Sequence, residues 1–121
     1  MLGDQHAGAS GCWVDFFGRP ASTHKAVAVF SLGSMAPMVV TASLRKDKPL
    51  CFKMEVAGIV DPQEEDFQWG TIPLMTEWYT RRLEELIRST PEQYWWVHRR
   101  WKGLPTDRRN SRRRRRAAEA A

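Results

Sequence analysis

Three features that this 121-residue chain lacks or has little of limit the classes of protein to which it can belong. No stretch approaches the roughly 20 consecutive apolar residues that a transmembrane helix needs. Residues 1–6 show no charged segment leading into an apolar one, which is the pattern of a secretory signal. The two cysteines, Cys12 and Cys51, lack metal-ligand spacing and lie in apolar, strand-like contexts. We therefore expect two reduced, partly buried thiols in a reducing compartment, no membrane span, no export signal, and no metal or other cofactor.

Aromatic and basic residues are what the chain has in excess. Six tryptophans and five phenylalanines are a heavy load for a length that allows one domain with one modest core. The net charge of +5 is concentrated in the arginine-rich residues 108–116. We assign residues 1–104 to the folded unit and residues 105–121 to a disordered basic tail, because like charges repel each other. Such a tail can hold anionic lipid headgroups, bind nucleic acid non-specifically, or be solvated and without function.

The residue pattern predicts the order strand, helix, strand, strand, long helix, short helix. Residues 12–17 read as a strand ended by the turn 18–20, and Ser22 or Thr23 is a candidate cap for a helix that runs to Gly33. Residues 37–44 read as a mostly buried strand, and residues 50–56 as its half-exposed antiparallel partner after a charged turn. Residues 75–87 trace one helical face, with ion pairs Glu77–Arg81 and Glu84–Arg88 opposite.

The helix expected between residues 23 and 33 has a consequence for the sheet. A crossover helix predicts parallel pairing of strands 12–17 and 37–44, and parallel sheets are normally covered on both faces. Only one helix that could cover such a sheet is predicted in the early part of the chain. The fold class we expect is therefore α/β, as part of a mixed-sheet α/β sandwich whose N-terminal half is missing.

Residues 90–102 combine aromatic and cationic side chains after the long helix. Thr90 with Gln93 forms a capping box, and Pro91 suits a first helical position, so we expect a short helix. The helix would carry an aromatic face and a cationic end, the latter with Arg99, Arg100 and Lys102. One interpretation is a core helix with its tryptophans turned inward. The other is a surface for a partner that is both apolar and anionic.

Five motifs follow one another along the chain: Asp4-Gln5, Gly11, VDFFGRPAST at 14–23, APMVV at 36–40 and PEQYWWVHRRWK at 91–102. In this order they resemble the C-terminal half of the lipid A biosynthesis acyltransferases, the late Kdo-dependent lauroyl and myristoyl transferases of the lysophospholipid acyltransferase superfamily. The resemblance covers about residues 2–104. It implies a partial acyltransferase fold of the glycerolipid type.

The activity implied by this resemblance is transfer of a fatty acyl chain to a hydroxyl of a lipid A precursor or related glycolipid. The implied partners are an acyl carrier protein or acyl-CoA donor, the glycolipid acceptor and the membrane surface, with no specific nucleic acid. The implied location is peripheral, at the cytoplasmic face of the bacterial inner membrane. Aromatic side chains suit acyl chains, and arginines suit phosphate groups, which agrees with residues 94–102.

The catalytic signature of that family is absent from this sequence. It consists of His, four intervening residues and Asp or Glu, with the histidine as general base on the acceptor hydroxyl. The residues at the carboxylate position after His6, His24 and His98 are Gly11, Val29 and Gly103. We therefore assign no catalytic residue and expect the chain to be inactive alone. In the family the signature lies upstream of the block matched by Asp4-Gln5.

The resemblance also implies substrate-binding residues. Asp4 and Gln5 occupy the position of an acidic turn near the family's cleft, or are an ordinary loop. Residues 16–21 with Thr23 occupy the superfamily's third acceptor-site motif, in which Gly18 would permit close backbone approach, Arg19 would contact phosphate, and a helix starting near Thr23 would offer N–H groups. His98, Arg99 and Arg100 are further candidates at the cleft or the headgroups.

Two other classes of protein remain compatible with the residues. One is a small nucleic-acid-binding protein that uses the arginine tail and exposed tryptophans. The other is a peripheral protein that binds anionic membranes without any chemistry. The grouping of the tryptophans around a helix, rather than over a sheet, argues against the first.

Overall fold

The computed structural model of the chain describes residues 1–103 and residue 105. Within them it is a small α/β fold with two helices and two antiparallel two-stranded sheets. The strands and helices are β1 (Cys12–Phe16), β2 (Arg19–Thr23), α1 (Ala26–Ser34), β3 (Met38–Arg45), β4 (Phe52–Val60) and α2 (Ile72–Ser89), with short 3₁₀ turns at Gly8–Ser10 and Pro91–Gln93. The basic tail, beyond residue 105, lies outside the described residues.

The first sheet is a hairpin that corrects the prediction for residues 18–23. β1 pairs with β2 through a two-residue loop in which Phe17 and Gly18 have φ of 52° and 73°. Two consecutive positive φ angles are those of a type I′ turn, which matches the twist of paired strands. Ser22 and Thr23 are therefore buried strand residues and not helix caps.

The hydroxyl groups of these two residues explain why neither caps α1. The Ser22 Oγ donates to the Gly8 carbonyl at 2.5 Å, and the Thr23 Oγ1 accepts from Arg100 at 2.6 Å. Both are used within the fold, and α1 starts three residues later without a side-chain cap. The helix N-terminus expected near Thr23 is thus displaced from that motif.

The second sheet replaces the parallel pairing that we predicted. β3 pairs with β4 in an antiparallel hairpin, and among the described residues neither strand joins β1 or β2. The predicted parallel pairing of residues 12–17 with 37–44 is therefore wrong. The physical reason is local, because the chain turns back after β1 and residues 19–23 pair with it in an antiparallel hairpin, so that no helix directly follows β1 as the predicted crossover required.

A bulge in β4 determines which side chains of the second sheet face the core. Its register changes between Val40 and Thr41, so that Ala57 is an extra residue on β4. One extra residue reverses the alternation of side chains. The predicted antiparallel partner is confirmed, but Phe52, Met54 and Val56 are 58%, 65% and 56% exposed.

Helix α2 holds the two sheets together, and its prediction is confirmed. Thr71 caps it, its Oγ1 accepting from the Leu74 N–H at 3.4 Å, and both expected ion pairs form on its outer side. Its inner face packs in one core cluster with β3, β4 and α1, and in a second with the β1–β2 hairpin. The buried side chains of α2 are Met75, Thr76, Trp78, Tyr79, Thr80, Leu86 and Ile87.

Candidate functional site

The segment after α2 is not the short helix that we predicted. Only Pro91–Gln93 form a 3₁₀ turn, and residues 94–102 are irregular. Gln93 completes no capping box. Instead its Oε1 accepts from the Arg45 N–H at 2.7 Å, and its Nε2 donates to the Arg45 carbonyl at 3.1 Å. A carboxamide thus pairs with the end of β3 as a strand would, and this anchors the segment to the second sheet.

Arg100 anchors the same segment to the first sheet. Its side chain is 1% exposed, and it donates to the Ser22 carbonyl at 2.8 Å and to the Thr23 Oγ1 at 2.6 Å. The guanidinium also lies 5.0 Å from the centre of the Phe16 ring. Burial lowers the pKa of Arg100 from its ordinary value, partly offset by Tyr94, Tyr79 and Asp4. Arg100 is therefore an interior residue whose guanidinium binds other groups of the protein.

His98 and Tyr94 connect the segment to the start of the chain. The Nε2 of His98 accepts from the His6 N–H at 3.0 Å, and the Tyr94 hydroxyl donates to the Asp4 carbonyl at 3.4 Å. Since a nitrogen that accepts carries no proton, neutral His98 holds its proton on Nδ1. Burial lowers the pKa of His6, and the charges of Lys102 and Arg100 lower it further.

Five aromatic rings form a continuous group, which we call the aromatic cluster: Phe16, Phe17, Tyr94, Trp96 and Trp101. Neighbouring centroids lie 4.7 to 6.3 Å apart, within the range of favourable ring contacts. Trp101 is fixed further because its Nε1 donates to the Phe16 carbonyl at 3.1 Å. The cluster joins the hairpin tip to the C-terminal segment.

Exposed arginines lie on the outer rings of this cluster. Arg19 stands 5.4 Å from the Trp101 ring centre, and Arg88 stands 4.8 Å from that of Phe17. Trp95, Trp96 and Val97 are 72%, 49% and 80% exposed. We call the exposed residues the arginine–tryptophan surface, and they are Arg19, Arg88, Trp95, Trp96, Val97 and Arg99. Arg88 and Trp96 both contact the Phe17 ring, and Arg19 contacts Trp101 of the same cluster. Trp95, Val97 and Arg99 are exposed residues of the segment that carries Trp96.

A cavity of about 450 Å³ lies between β3, α2 and the first residues of the chain. This is within the roughly 300–1,000 Å³ of small-molecule sites. Its walls are mainly apolar, and Asp4, Thr90, Gln93 and Tyr94 add polar groups. Burial raises the pKa of Tyr79 and of Tyr94, so both hydroxyls are neutral at ordinary pH. The cavity can therefore take an apolar chain that carries a polar group.

The predicted site residues separate into three groups. Thr23, His98 and Arg100 meet at the buried junction of the first sheet with the C-terminal segment. Asp4 lines the cavity, whereas Gln5 is exposed. The remaining candidates, Gly18, Arg19 and Arg99, are exposed. A Cβ on Gly18 would meet nothing within 4 Å, so its positive φ is what favours glycine there.

Arg88 is the residue that sequence reasoning missed at this surface. We placed it in a helical ion pair with Glu84, and that pair exists at 3.6 Å. Its second contact, with Phe17, requires the hairpin tip to dock on α2, where the Phe17 N–H donates to the Glu84 Oε1 at 2.8 Å. The sequence signal was the positive charge in the last turn of α2, but nothing in the sequence joined it to residue 17.

Comparison with known proteins relates these features to one family. The family model for bacterial lipid A biosynthesis acyltransferases matches residues 1–103. No individual curated protein matches the chain significantly. Among the described residues, no helix combines the length and the apolar character needed to cross a lipid bilayer.

Proposed function

The chain belongs to the bacterial lipid A biosynthesis acyltransferase family, and we propose that it is the C-terminal half of a Kdo-dependent lauroyl or myristoyl transferase. In this proposal it serves the transfer of a fatty acyl chain from an acyl carrier protein or acyl-CoA to a hydroxyl of a lipid A precursor. The order of its motifs supports this assignment, because residues 14–23 and 91–102 occur in the order expected for that half.

The arginine–tryptophan surface is the observation that carries the proposal. A lipid A precursor is an anionic amphiphile, and its recognition requires apolar contact beside groups that bind phosphate. Exposed Trp95 and Trp96 suit the boundary between headgroups and acyl chains, where tryptophan is enriched. Arg19 and Arg88 stand on two rings of the aromatic cluster, Trp101 and Phe17, and a guanidinium binds phosphate through charge-assisted hydrogen bonds. The surface would contact the acceptor at the cytoplasmic face of the inner membrane.

The cavity supplies the second element of the proposal. Its apolar lining, which includes Val27, Met38 and Leu86, suits a fatty acyl chain, and Tyr94 is among its polar residues. A chain held there would be shielded from water, and each buried CH₂ contributes about 0.8 kcal/mol of binding free energy. Acyl length would then depend on how deep the cavity extends.

The residues that the chain contains indicate which part of the reaction it serves. A general base with its orienting carboxylate activates the acceptor hydroxyl in this type of reaction, and no histidine here has the family's carboxylate spacing. We propose that residues 1–103 bind substrate within a larger mixed-sheet sandwich. The exposed Phe52, Met54 and Ile59 of β4 support this, since such a sandwich would cover them.

Vesicle co-sedimentation tests the surface directly. Wild type is compared with the double variant Arg19→Gln/Arg88→Gln and with Arg81→Gln, an exposed α2 arginine paired with Glu77. The vesicles contain phosphatidylcholine alone, with phosphatidylglycerol, or with a tetra-acylated lipid A precursor. We expect the precursor to bind wild type best. The double variant should bind it about thirtyfold more weakly, because removing each of two exposed charge-assisted contacts costs roughly 1 kcal/mol.

The basic tail is identical in all three proteins, so it cannot account for a difference between them. Equal binding by wild type and the double variant would contradict a role for the surface. Equal binding to phosphatidylglycerol and to the precursor would indicate a general anionic-membrane protein. Tighter binding to duplex DNA, falling steeply with salt, would favour the nucleic-acid alternative.

A further inference from the structure

We propose that two neighbouring turns at one end of the molecule insert together into the surface of an anionic lipid bilayer. The first, which we call the Leu50 turn, comprises residues 48–51, and the second, which we call the Val97 turn, comprises residues 95–98. The proposal names a site of membrane contact and does not depend on the reaction that the chain serves.

The Leu50 turn has a leucine where its geometry favours a different residue. The Cys51 N–H donates to the Lys48 carbonyl at 3.2 Å, and Leu50, which follows Pro49, has a φ of 57°. Proline at the second position and a positive φ at the third are features of a type II turn, whose third position favours glycine or asparagine. The Leu50 side chain is 92% exposed, so contacts within the described residues do not compensate for this strain. Burial against a partner would compensate for it.

The Val97 turn also presents apolar side chains to the exterior. The His98 N–H donates to the Trp95 carbonyl at 3.2 Å, which places Trp96 and Val97 at the centre of the turn. All three residues before His98 in this turn are exposed, Val97 most of all. Tryptophan is enriched at the level of the lipid headgroups, so this turn suits the same partner as the Leu50 turn.

Gln93 holds the two turns beside each other. Its carboxamide forms two hydrogen bonds with the backbone of Arg45, at the end of β3 that leads into the Leu50 turn. The Lys46 N–H donates to the Cys51 carbonyl at 2.8 Å and closes that hairpin directly beyond Arg45. Gln93 itself lies shortly before Trp95. Both turns therefore belong to the same end of the molecule.

The charges beside the Leu50 turn indicate the chemistry of the partner. Arg45, Lys46 and Lys48 are exposed, and none of them forms an ion pair within the part of the chain that the structure describes. Asp47 is the single acidic residue between Arg45 and Leu50. Anionic headgroups attract such cations, and apolar side chains beside them enter the interfacial layer. The apolar side chains lie at the tips of turns, and a bilayer accommodates such tips without a matching pocket.

Co-sedimentation of the full chain with vesicles tests the Leu50 turn. The vesicles contain phosphatidylcholine, with or without phosphatidylglycerol. Asparagine suits the positive φ at position 50, so Leu50→Asn should unfold at the same or a higher urea concentration than wild type. It should nevertheless bind the anionic vesicles about tenfold more weakly, because one apolar side chain no longer leaves water. Lys46→Gln/Lys48→Gln should bind them about thirtyfold more weakly at low salt.

The matched control is Leu74→Asn, at a partly exposed leucine in the first turn of α2. Leu74 lies roughly 22 Å along the helix axis from the C-terminus that leads to Gln93. This variant should bind as wild type does. Equal binding by Leu50→Asn and wild type, or an equal loss in Leu74→Asn, would overturn the proposal.

Hydrogen exchange of the wild-type chain provides a second measurement, which needs no variant. Adding the anionic vesicles should slow exchange in residues 46–52 and 95–98 together, whereas phosphatidylcholine alone should slow it in neither. Protection of one turn only, or of neither, would refute the joint insertion. Protection of both turns at high protein concentration without vesicles would assign them to a second copy of the chain instead.

Discussion

Residues 94–102 contain two sets of side chains with opposite surroundings. Arg100 is 1% exposed and bonded to two groups of β2, whereas its neighbour Arg99 is exposed. Trp101 packs on Phe16 and donates to its carbonyl, whereas Trp95 is 72% exposed. The same residue types therefore serve the interior in one set and the exterior in the other. Residue type alone carries no information about which role applies.

The difference teaches how a buried arginine is tolerated. Removing a guanidinium from water is costly unless its donors find partners. Two nitrogens of Arg100 meet that requirement at Ser22 and Thr23, which are both completely buried, whereas its Nε has no hydrogen-bond partner among the described residues. Arg99 has no such cost because it remains in water. We call Arg100 and Trp101 the inward set, and Arg99 and Trp95 the outward set. We expect substitutions in the inward set to affect stability and those in the outward set to affect binding.

Arg100→Ala should give the largest effect. The change removes one donor from the Ser22 carbonyl, which keeps the Ala7 N–H, and the Arg100 donor from the buried Thr23 hydroxyl, and it removes the contact with Phe16. The free energy of unfolding should fall by about 3 kcal/mol, as for the loss of a buried charged partner. Urea unfolding followed by tryptophan fluorescence measures it.

Arg99→Ala is the matched control for that change. An exposed substitution should alter the free energy of unfolding by less than about 0.5 kcal/mol. Equal destabilisation by the two variants would show that the inward and outward sets are not distinct.

Trp101→Phe should have the next largest effect. The smaller ring loses the hydrogen bond to the Phe16 carbonyl and part of the contact with Arg19. We expect a loss of about 1.5 kcal/mol, from one hydrogen bond and reduced packing. Trp95→Phe, at an exposed ring, should change stability little but weaken vesicle binding. A stability loss confined to Trp95→Phe would contradict the assignment of Trp101 to the interior and of Trp95 to the exterior.

Gln93→Ala tests the attachment of the segment to β3. Both bonds from the carboxamide to Arg45 would be lost, but they are exposed to water. We expect a loss of about 1 kcal/mol, the low end for two hydrogen bonds. Hydrogen exchange at the Arg45 amide should accelerate. Glu92→Ala, at the preceding exposed position, should leave that amide unchanged, and acceleration in both variants would argue for general loosening.

The pH dependence of stability should give the smallest effect. The pKa of His6 is lowered in the folded state, chiefly by burial, so the unfolded chain binds a proton there first as the pH falls. This contribution is fully present above the ordinary histidine pKa of about 6.5 and is lost as the pH falls below it. His6→Gln retains the backbone amide that His98 binds but removes this titration. Urea unfolding from pH 7.5 to 5.5 should show a shallower fall for the variant, and superimposable curves would contradict the expectation.

Local patterns were sufficient for the helices and strands with strong periodicity. Helix α2 and its ion pairs, strand β3 and the antiparallel partner β4 were predicted from spacing alone. The first hairpin was not, because Phe17 is an unusual residue at positive φ. Its N–H bond to Glu84 and its ring contacts with Arg88 and Trp96 stabilise that turn, and all three partners are distant in sequence.

The candidate site was predictable only in its composition. The motif at 91–102 indicated an apolar and cationic segment, and the segment has both properties. The prediction that this segment forms a helix was wrong. Gln93 bonds to Arg45 and Arg100 bonds to β2, and these two contacts outweigh the local preference for a capped helix. Contacts made over 48 and 78 positions in the sequence are invisible to a local pattern.

By itself the sequence determined the family, the long amphipathic helix and the presence of arginine beside tryptophan. These follow from residue identity and short-range spacing. The tertiary structure alone decided that Arg100 is interior while Arg99 is exterior, and that His98 meets His6. Those outcomes depend on which buried donors find acceptors when distant segments pack together, and the cost of an unsatisfied buried group makes that pairing decisive.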